Sequence, residues 1–285
     1  MNDDVFIESK LKEQNFLKLQ AVTYFHGVCL FLISYVVVFL IHSISSAVFA
    51  VAAQKKPVIF HNKILFLNTT GWNLYDALTI YGSPLIIVGL FALYLFTFFR
   101  KTNSSYTLQK PFIFWLLMHS LSRFVGCVIP GMISNESFKY MADWLYVGPY
   151  GMFILAVVSV LLLFIIGGYL TKYALQSAVY EISIKTKNRT KFLSHAYFFP
   201  WMTGSLTIIA LQAPDLRASL HEITTALLIC LIIIPMYYIL KTLNKKPVAR
   251  KKPSLSSAQL NWKLVLYTIL ILFGFRSILG NGIYF

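Results

Sequence analysis

The amino-acid sequence predicts an all-α integral membrane protein of about seven transmembrane helices, with a short β-hairpin in its first outer loop. Three observations predict it. Hydrophobic residues make up 58% of the 285 and charged residues only 12%, and the mean hydropathy of +0.68 lies far outside the range of a water-soluble domain. Apolar runs of roughly 20 residues, each long enough to cross a hydrocarbon core about 30 Å thick, recur along nearly the whole chain. Basic residues collect in alternate loops, as they do in multi-pass proteins.

Residues 1–20 form a polar leader carrying Asp3, Asp4, Glu8, Lys10, Lys12 and Glu13, and a single polytopic domain fills 21–285. The first apolar run, 21–51, is too long for a cleaved signal sequence and is expected to stay as a helix. Further spans are predicted near 79–99, 111–133, 147–171, 192–211, 221–240 and 262–279. Lipid offers the backbone no hydrogen-bond partner, so each run must be helical whatever its content of Val, Ile and Phe. The loop 52–77 is the exception. Its segment PVIFHNKILFLNTTGW holds two short β-rich runs around His61-Asn62-Lys63, and Trp72, Tyr75 and Tyr81 are expected at headgroup depth.

Seven spans put the N-terminus and every second loop on one side. That side receives Lys10, Lys12 and Lys18, then Arg100, Lys101 and Lys110, then Lys172, Lys185, Lys187, Arg189 and Lys191, and last the run from Lys241 to Lys252 with Lys263. The other side receives Lys55, Lys56, Lys63, Lys139 and Arg217. Short cytoplasmic loops retain Lys and Arg, so the N-terminus is expected to be cytoplasmic and the C-terminus outside. The formal charge of +15 follows from this topology. Its expected partners are the bilayer and its anionic headgroups, with no nucleic acid. A composition rich in Lys, Phe, Tyr and Ile is compatible with a bacterial inner membrane.

Cys29, Cys127 and Cys230 fall inside predicted spans and form no CxxC pair, so they suggest neither a disulfide framework nor a thiolate metal site. Sequons begin at Asn68, Asn103, Asn135 and Asn188, two of them on the predicted cytoplasmic side, and are taken as chance matches.

An ionisable group inside hydrocarbon is expensive and marks a candidate site. His119 and Arg123, four residues apart, share one face of the third predicted span, with Arg123 near the bilayer midplane. Arg276 lies in the outer half of the last span. Glu222 opens the sixth span beside His221, Asp76 precedes the second and Asp143 the fourth. The two arginines need counter-charges, and the three carboxylates lie on the correct side, so these groups could converge on an outward-facing polar cavity. The simpler reading, and the one favoured here, is that each arginine snorkels or makes a structural hydrogen bond to backbone carbonyls while the acidic residues stay in interfacial water.

Catalytic signatures are missing. HExxH, GxSxG and a glycine-rich phosphate loop do not occur, and His221-Glu222 continues Ile-Thr-Thr, without the second histidine of a zinc motif.

The order of features over residues 30–170 is nonetheless suggestive. FLIHSISSAVFAVA, with His42 late in the first span, precedes the strand-like loop, then DALTIYGSPLI opens the second span, and SRFVGCVIPGMISNESFKYMADWLYVG follows later. This arrangement resembles the site-2-protease-type intramembrane zinc metalloproteases. The resemblance implies that His42 stands at the first motif histidine and that Asp143 corresponds to an acidic ligand. It also sets Ser43 where the catalytic glutamate belongs and Ser46 where the second histidine belongs. Serine supplies neither an imidazole for zinc nor a carboxylate for its water. The resemblance therefore implies a protease-like protein without protease activity, with zinc as a cofactor only if that site is completed elsewhere and no cofactor otherwise.

The function expected at this level is that of a non-catalytic scaffold or regulatory membrane protein, with two alternatives: a small-solute transporter or channel using intramembrane Arg and His, and an intramembrane metal-dependent hydrolase with an atypical site.

Overall fold

The structure is a computed structural model that describes residues 3–68, 70–102, 108–177, 188–243 and 259–285. Helix α1, Asp3–Ala52, runs without a break from the polar leader through the first span. Strands β1 (Pro57–Ile59) and β2 (Ile64–Phe66) pair antiparallel, with Ile59 opposite Ile64, so the expected hairpin forms. A third strand, β3 (Ile283–Tyr284), comes from the far end of the chain and pairs antiparallel with β1. Gly282 is needed at this junction. Its φ is +77°, and a Cβ there would lie 2.9 Å from Phe60 and Val58.

Helix α2 (Leu74–Ala77) leads through a π-helical turn, Leu78–Gly82, into α3 (Ser83–Lys101). Helix α4 (Gln109–Val125) and α5 (Val128–Ser134) form one path bent by 62°. After α6 (Phe138–Trp144) comes α7 (Pro149–Gln176). Helix α8 (Arg189–Leu193), a second π-helical turn (Ser194–Phe198) and α9 (Phe199–Gln212) are contiguous. Helices α10 (Leu220–Leu227), α11 (Cys230–Leu243) and α12 (Trp262–Gly280) complete the bundle.

Five of these helical stretches are long and apolar enough to cross a membrane, or six when the bent α4–α5 pair is taken as one span. The predicted fifth span, 192–211, is helical throughout but is not among them. Its polar content, which includes His195, Thr203 and Ser205, accounts for the difference. The basic loops at 178–187 and 244–258 lie outside the described residues, as does the Asn103 sequon.

Helix α1 is the axis of the bundle and packs against α3, α4, α9 and α12. Its most apolar window is 67% buried, against 22% for α7 and 17% for α12, whose outward faces are left for lipid. The α1–α9 contact is close because Gly204 lies against Phe31, where a Cβ would fall 2.2 Å from the ring.

The two π-turns have a common local cause. Proline lacks an N–H and its ring crowds the carbonyl four residues back. Pro84 and Pro200 sit just after the two π-turns. The Ile80 carbonyl, four residues before Pro84, accepts instead from Ser46 Oγ at 3.0 Å.

Candidate solute cavity and its buried ion pair

A cavity of about 430 Å³ opens at the hairpin end of the bundle, within the range of about 300–1,000 Å³ usual for small-molecule sites. Five structural units wall it. The last turns of α1 contribute Phe39, His42, Ser43 and Ser46, and the hairpin contributes Asn62 to Phe66. Trp72 and Tyr81 come from the α2 region, and Glu136, Ser137, Tyr140 and Trp144 from the loop and helix after α5. His221 and Glu222, from the first turn of α10, complete the wall.

Glu222 is held by Arg123. Nη1 donates to Oε1 at 3.0 Å and Nη2 donates to Oε2, a bidentate pair whose side chains are 3% and 5% exposed. Two interrupted helices bring them together. Arg123 occupies the last turn of α4, just before the bend, and Glu222 the first turn of α10, which packs beside α5. Ser122 Oγ donates to the Thr225 carbonyl at 2.6 Å and ties the same two paths. A bidentate guanidinium–carboxylate contact is among the strongest polar interactions, and in a dry site neither partner tolerates loss of the other.

From Glu222 a polar chain runs outward. Tyr35 Oη donates a long 3.5 Å contact to Glu222, and Gln212 Nε2 donates to Tyr35 Oη at 3.2 Å and to the His61 carbonyl at 3.4 Å. Arg276 donates to the His61 ring and, at 3.0 Å, to the Ala213 carbonyl. The hairpin turn is thereby clamped to α12, reinforced by the His61 N–H on the Leu279 carbonyl at 3.2 Å.

The sequence-level cluster is therefore only partly assembled. Arg123 and Glu222 meet. His119 lies near them on α4, but its Nε2 contacts the Phe31 carbonyl at 3.1 Å. Arg276 takes an imidazole and a backbone carbonyl in place of a carboxylate. Asp76 caps α2 with Asn73 and pairs with Lys55 at 3.4 Å. Asp143 pairs with Lys139, one turn before it, and does not line the cavity.

The residues singled out by the protease-like pattern also have particular positions. His42 is buried and faces the cavity. It has no hydrogen-bond partner among the described residues. Ser46 satisfies the carbonyl freed by Pro84. Among the described residues no three His, Cys, Asp or Glu side chains form a group able to hold a metal.

Sequence reasoning passed over Glu136, and it passed over His221 because His-Glu without a second histidine reads as a chance dipeptide. Both members in fact line the cavity, and Ser134 Oγ lies 3.4 Å from His221 Nδ1. Their adjacency at the start of an apolar helix was the available signal.

Glu136 lies outside the spanning segments and approaches the cavity from the α5–α6 loop. Burial pushes its carboxyl above the usual carboxylate range, Lys63 opposes that shift, and the like charge of Glu222 adds to it.

At the opposite end of α1 a small second cavity of about 30 Å³ is lined by Thr23, His26, Leu30, Trp115 and Tyr197, among others. Between the two cavities Phe31 meets Trp115 edge-on at 5.0 Å and His119 at 4.5 Å between ring centroids, and Tyr35 lies 6.0 Å from His119.

Comparison with protein-family models, with curated proteins and with solved structures gives no match for this chain.

Proposed function

We propose that this chain is a seven-span transporter of a small amphipathic solute, in a state open at the hairpin end and closed at the other. The observation that carries this reading is the alignment along α1 of a large cavity, a buried Arg123–Glu222 pair at its wall, an aromatic plug and a second, small cavity. Substrate sites of transporters typically lie near mid-depth beside interrupted helices, where local backbone breaks can face a cavity. The α4–α5 bend and the α10–α11 break meet, since a Cβ on Gly126 would lie 3.0 Å from the Leu228 side chain.

Parity supports seven spans. Strands β1 and β3 share a sheet, so the ends of α1 and α12 lie on the same side. An odd number of crossings must then separate the two helices. Five spans in all, or seven, meet this condition, and six do not. Seven requires both α4–α5 and α8–α9 to cross. In favour of that, α8–α9 runs alongside α1 in the same direction: Gly27 faces Pro200, Tyr24 bonds Thr203 at 2.8 Å, and Tyr35 bonds Gln212 near the other end. The basic-loop bias supports a cytoplasmic N-terminus and a hairpin end facing outward.

Thiol labelling in sealed vesicles tests this, in a background with Cys29, Cys127 and Cys230 replaced. Ser43→Cys is expected to react with a membrane-impermeant reagent from the hairpin side only. Leu30→Cys, beside the plug, is expected to react slowly from the basic-loop side, through a minor inward-open population. If Ser43→Cys is inert from both sides, no water-filled cavity exists and the reading is wrong. If it reacts while Leu30→Cys never does, the protein is a one-sided solute receptor and transport is excluded.

A further inference from the structure

We propose that the solute is an organic ammonium cation, its charged head on Glu136 and its apolar body against the aromatic wall of the cavity. This deepens the solute-site reading and rests on it. The wall is a ladder of rings. Phe66 meets Trp72 edge-on at 5.3 Å, Trp72 stacks on Tyr81 at 5.8 Å, and Tyr81 stacks on Tyr140 at 5.6 Å. Aromatic faces carry negative quadrupole charge, so a ring face open to the cavity attracts a cation and repels an anion. The protein already uses the interaction here, because Lys55 Nζ lies 5.4 Å from the centre of the Trp72 ring.

The charges point the same way. Glu222 is neutralised by its bidentate arginine, whereas Glu136 makes no ion pair or side-chain hydrogen bond among the described residues. Lys63 attracts it without approaching to ion-pair distance. A cationic head would complete that half-buried carboxylate. His42, 8% exposed, turns toward the same space without a hydrogen-bond partner among the described residues. A neutral imidazole nitrogen can accept an ammonium N–H. An anionic solute would find Lys63 among the lining residues, but it would lie beside the Glu136 carboxylate, which has no ion-pair partner among the described residues.

Backbone strain is concentrated where Glu136 is presented. Asn135 closes α5 in the left-handed region (φ 55°, ψ 37°), and Ser137 on the other side has φ 54° and ψ −110°. Asn commonly closes a helix in the left-handed region, whereas the Ser137 conformation is one that a residue with a side chain rarely adopts and that recurs at ligand-holding loops. Together they turn the chain sharply on both sides of a carboxylate that makes no ion pair among the described residues.

The test compares three isosteres on the full chain in detergent, by quenching of tryptophan fluorescence or by calorimetry near neutral pH. They are 2-phenylethylammonium, 2-phenylethanol and 3-phenylpropanoate. The cation is expected to bind saturably and at least about tenfold tighter than either isostere. Glu136→Gln should weaken it by about tenfold or more, and Asp143→Asn, which removes a nearby carboxylate that does not face the cavity, should leave it unchanged. Equal or tighter binding of the alcohol or the propanoate, or an unaffected Glu136→Gln variant, overturns the cation assignment and leaves the solute site standing. If no probe binds while Ser43→Cys stays reactive, the cation assignment fails and the cavity survives. If Ser43→Cys is also inert, both fail.

Discussion

Arg123 and Arg276 are both single guanidinium groups within apolar helices, and the protein holds them in opposite ways. Arg123 is buried at a helix break and takes both oxygens of Glu222. Arg276 lies near the hairpin end of α12, is only partly buried, and takes the His61 ring and a backbone carbonyl. Depth explains the difference. A charge far from water needs a full counter-charge, whereas one near the interface can complete its solvation with water and neutral acceptors. The first arrangement supports a cavity wall, and the second latches the hairpin that covers it.

The largest effect that could break this contrast comes from Glu222→Ala, which leaves Arg123 buried without its counter-charge. It should destabilise the protein by about 3–5 kcal/mol, measured by denaturant or thermal unfolding in detergent. The double variant Arg123→Met/Glu222→Leu should recover most of that loss, because a buried ion pair contributes little over well-packed apolar groups. If the double variant is as unstable as the single, the pair stabilises the fold beyond its own neutralisation.

Arg276→Leu should cost less, about 1–2 kcal/mol for its charge-assisted hydrogen bonds at a partly exposed site. Its signature is local. Hydrogen exchange should accelerate in residues 57–66 while α4 and α10 stay protected. Uniform acceleration would mean that Arg276 holds the whole bundle.

The latch should also respond to acid. Burial first, and the Arg276 charge second, hold the His61 imidazole below its ordinary value of 6.5. The unfolded chain then binds the proton more readily than the folded one, so this contribution is present above the ordinary value and is lost as the pH falls below it. Hairpin exchange should rise as the pH is lowered through that window, and His61→Gln should flatten the dependence.

The smallest effect is expected at Asp143. Its partner Lys139 is one turn away, the side chains are 51% and 29% exposed, and such surface pairs contribute about 0–1 kcal/mol. Asp143→Asn should leave both unfolding and cavity labelling nearly unchanged. A large effect would restore Asp143 as a site residue.

Much of the fold was legible because hydropathy is additive along a chain. The hairpin around His61-Asn62-Lys63 could be read from its β-rich flanks, and the early helices from their apolar runs. The segment 192–211 shows the limit of that reading. Its hydropathy alone does not mark a span, and its claim to be one rests on alignment with α1 and on the strand from the C-terminus. The candidate site was legible in composition and not in pairing. Arg123 and Glu222 were both identified, yet three carboxylates stood as partners for two arginines, and 99 residues separate the pair that formed. His42 and His221 meet the same space only because the fold brings the start of α10 to the cavity that the last turns of α1 line.

By itself the sequence determined that the backbone must be helical in lipid, where the β-hairpin lies, and that a few ionisable groups must find partners or water. These follow from local transfer energies, which each segment carries wherever it goes. The tertiary structure alone decided which arginine meets which carboxylate, that Ser46 serves a carbonyl freed by Pro84, and that His42, Glu136 and Glu222 share one cavity. Those outcomes depend on distances between segments far apart in the chain, and packing sets such distances collectively.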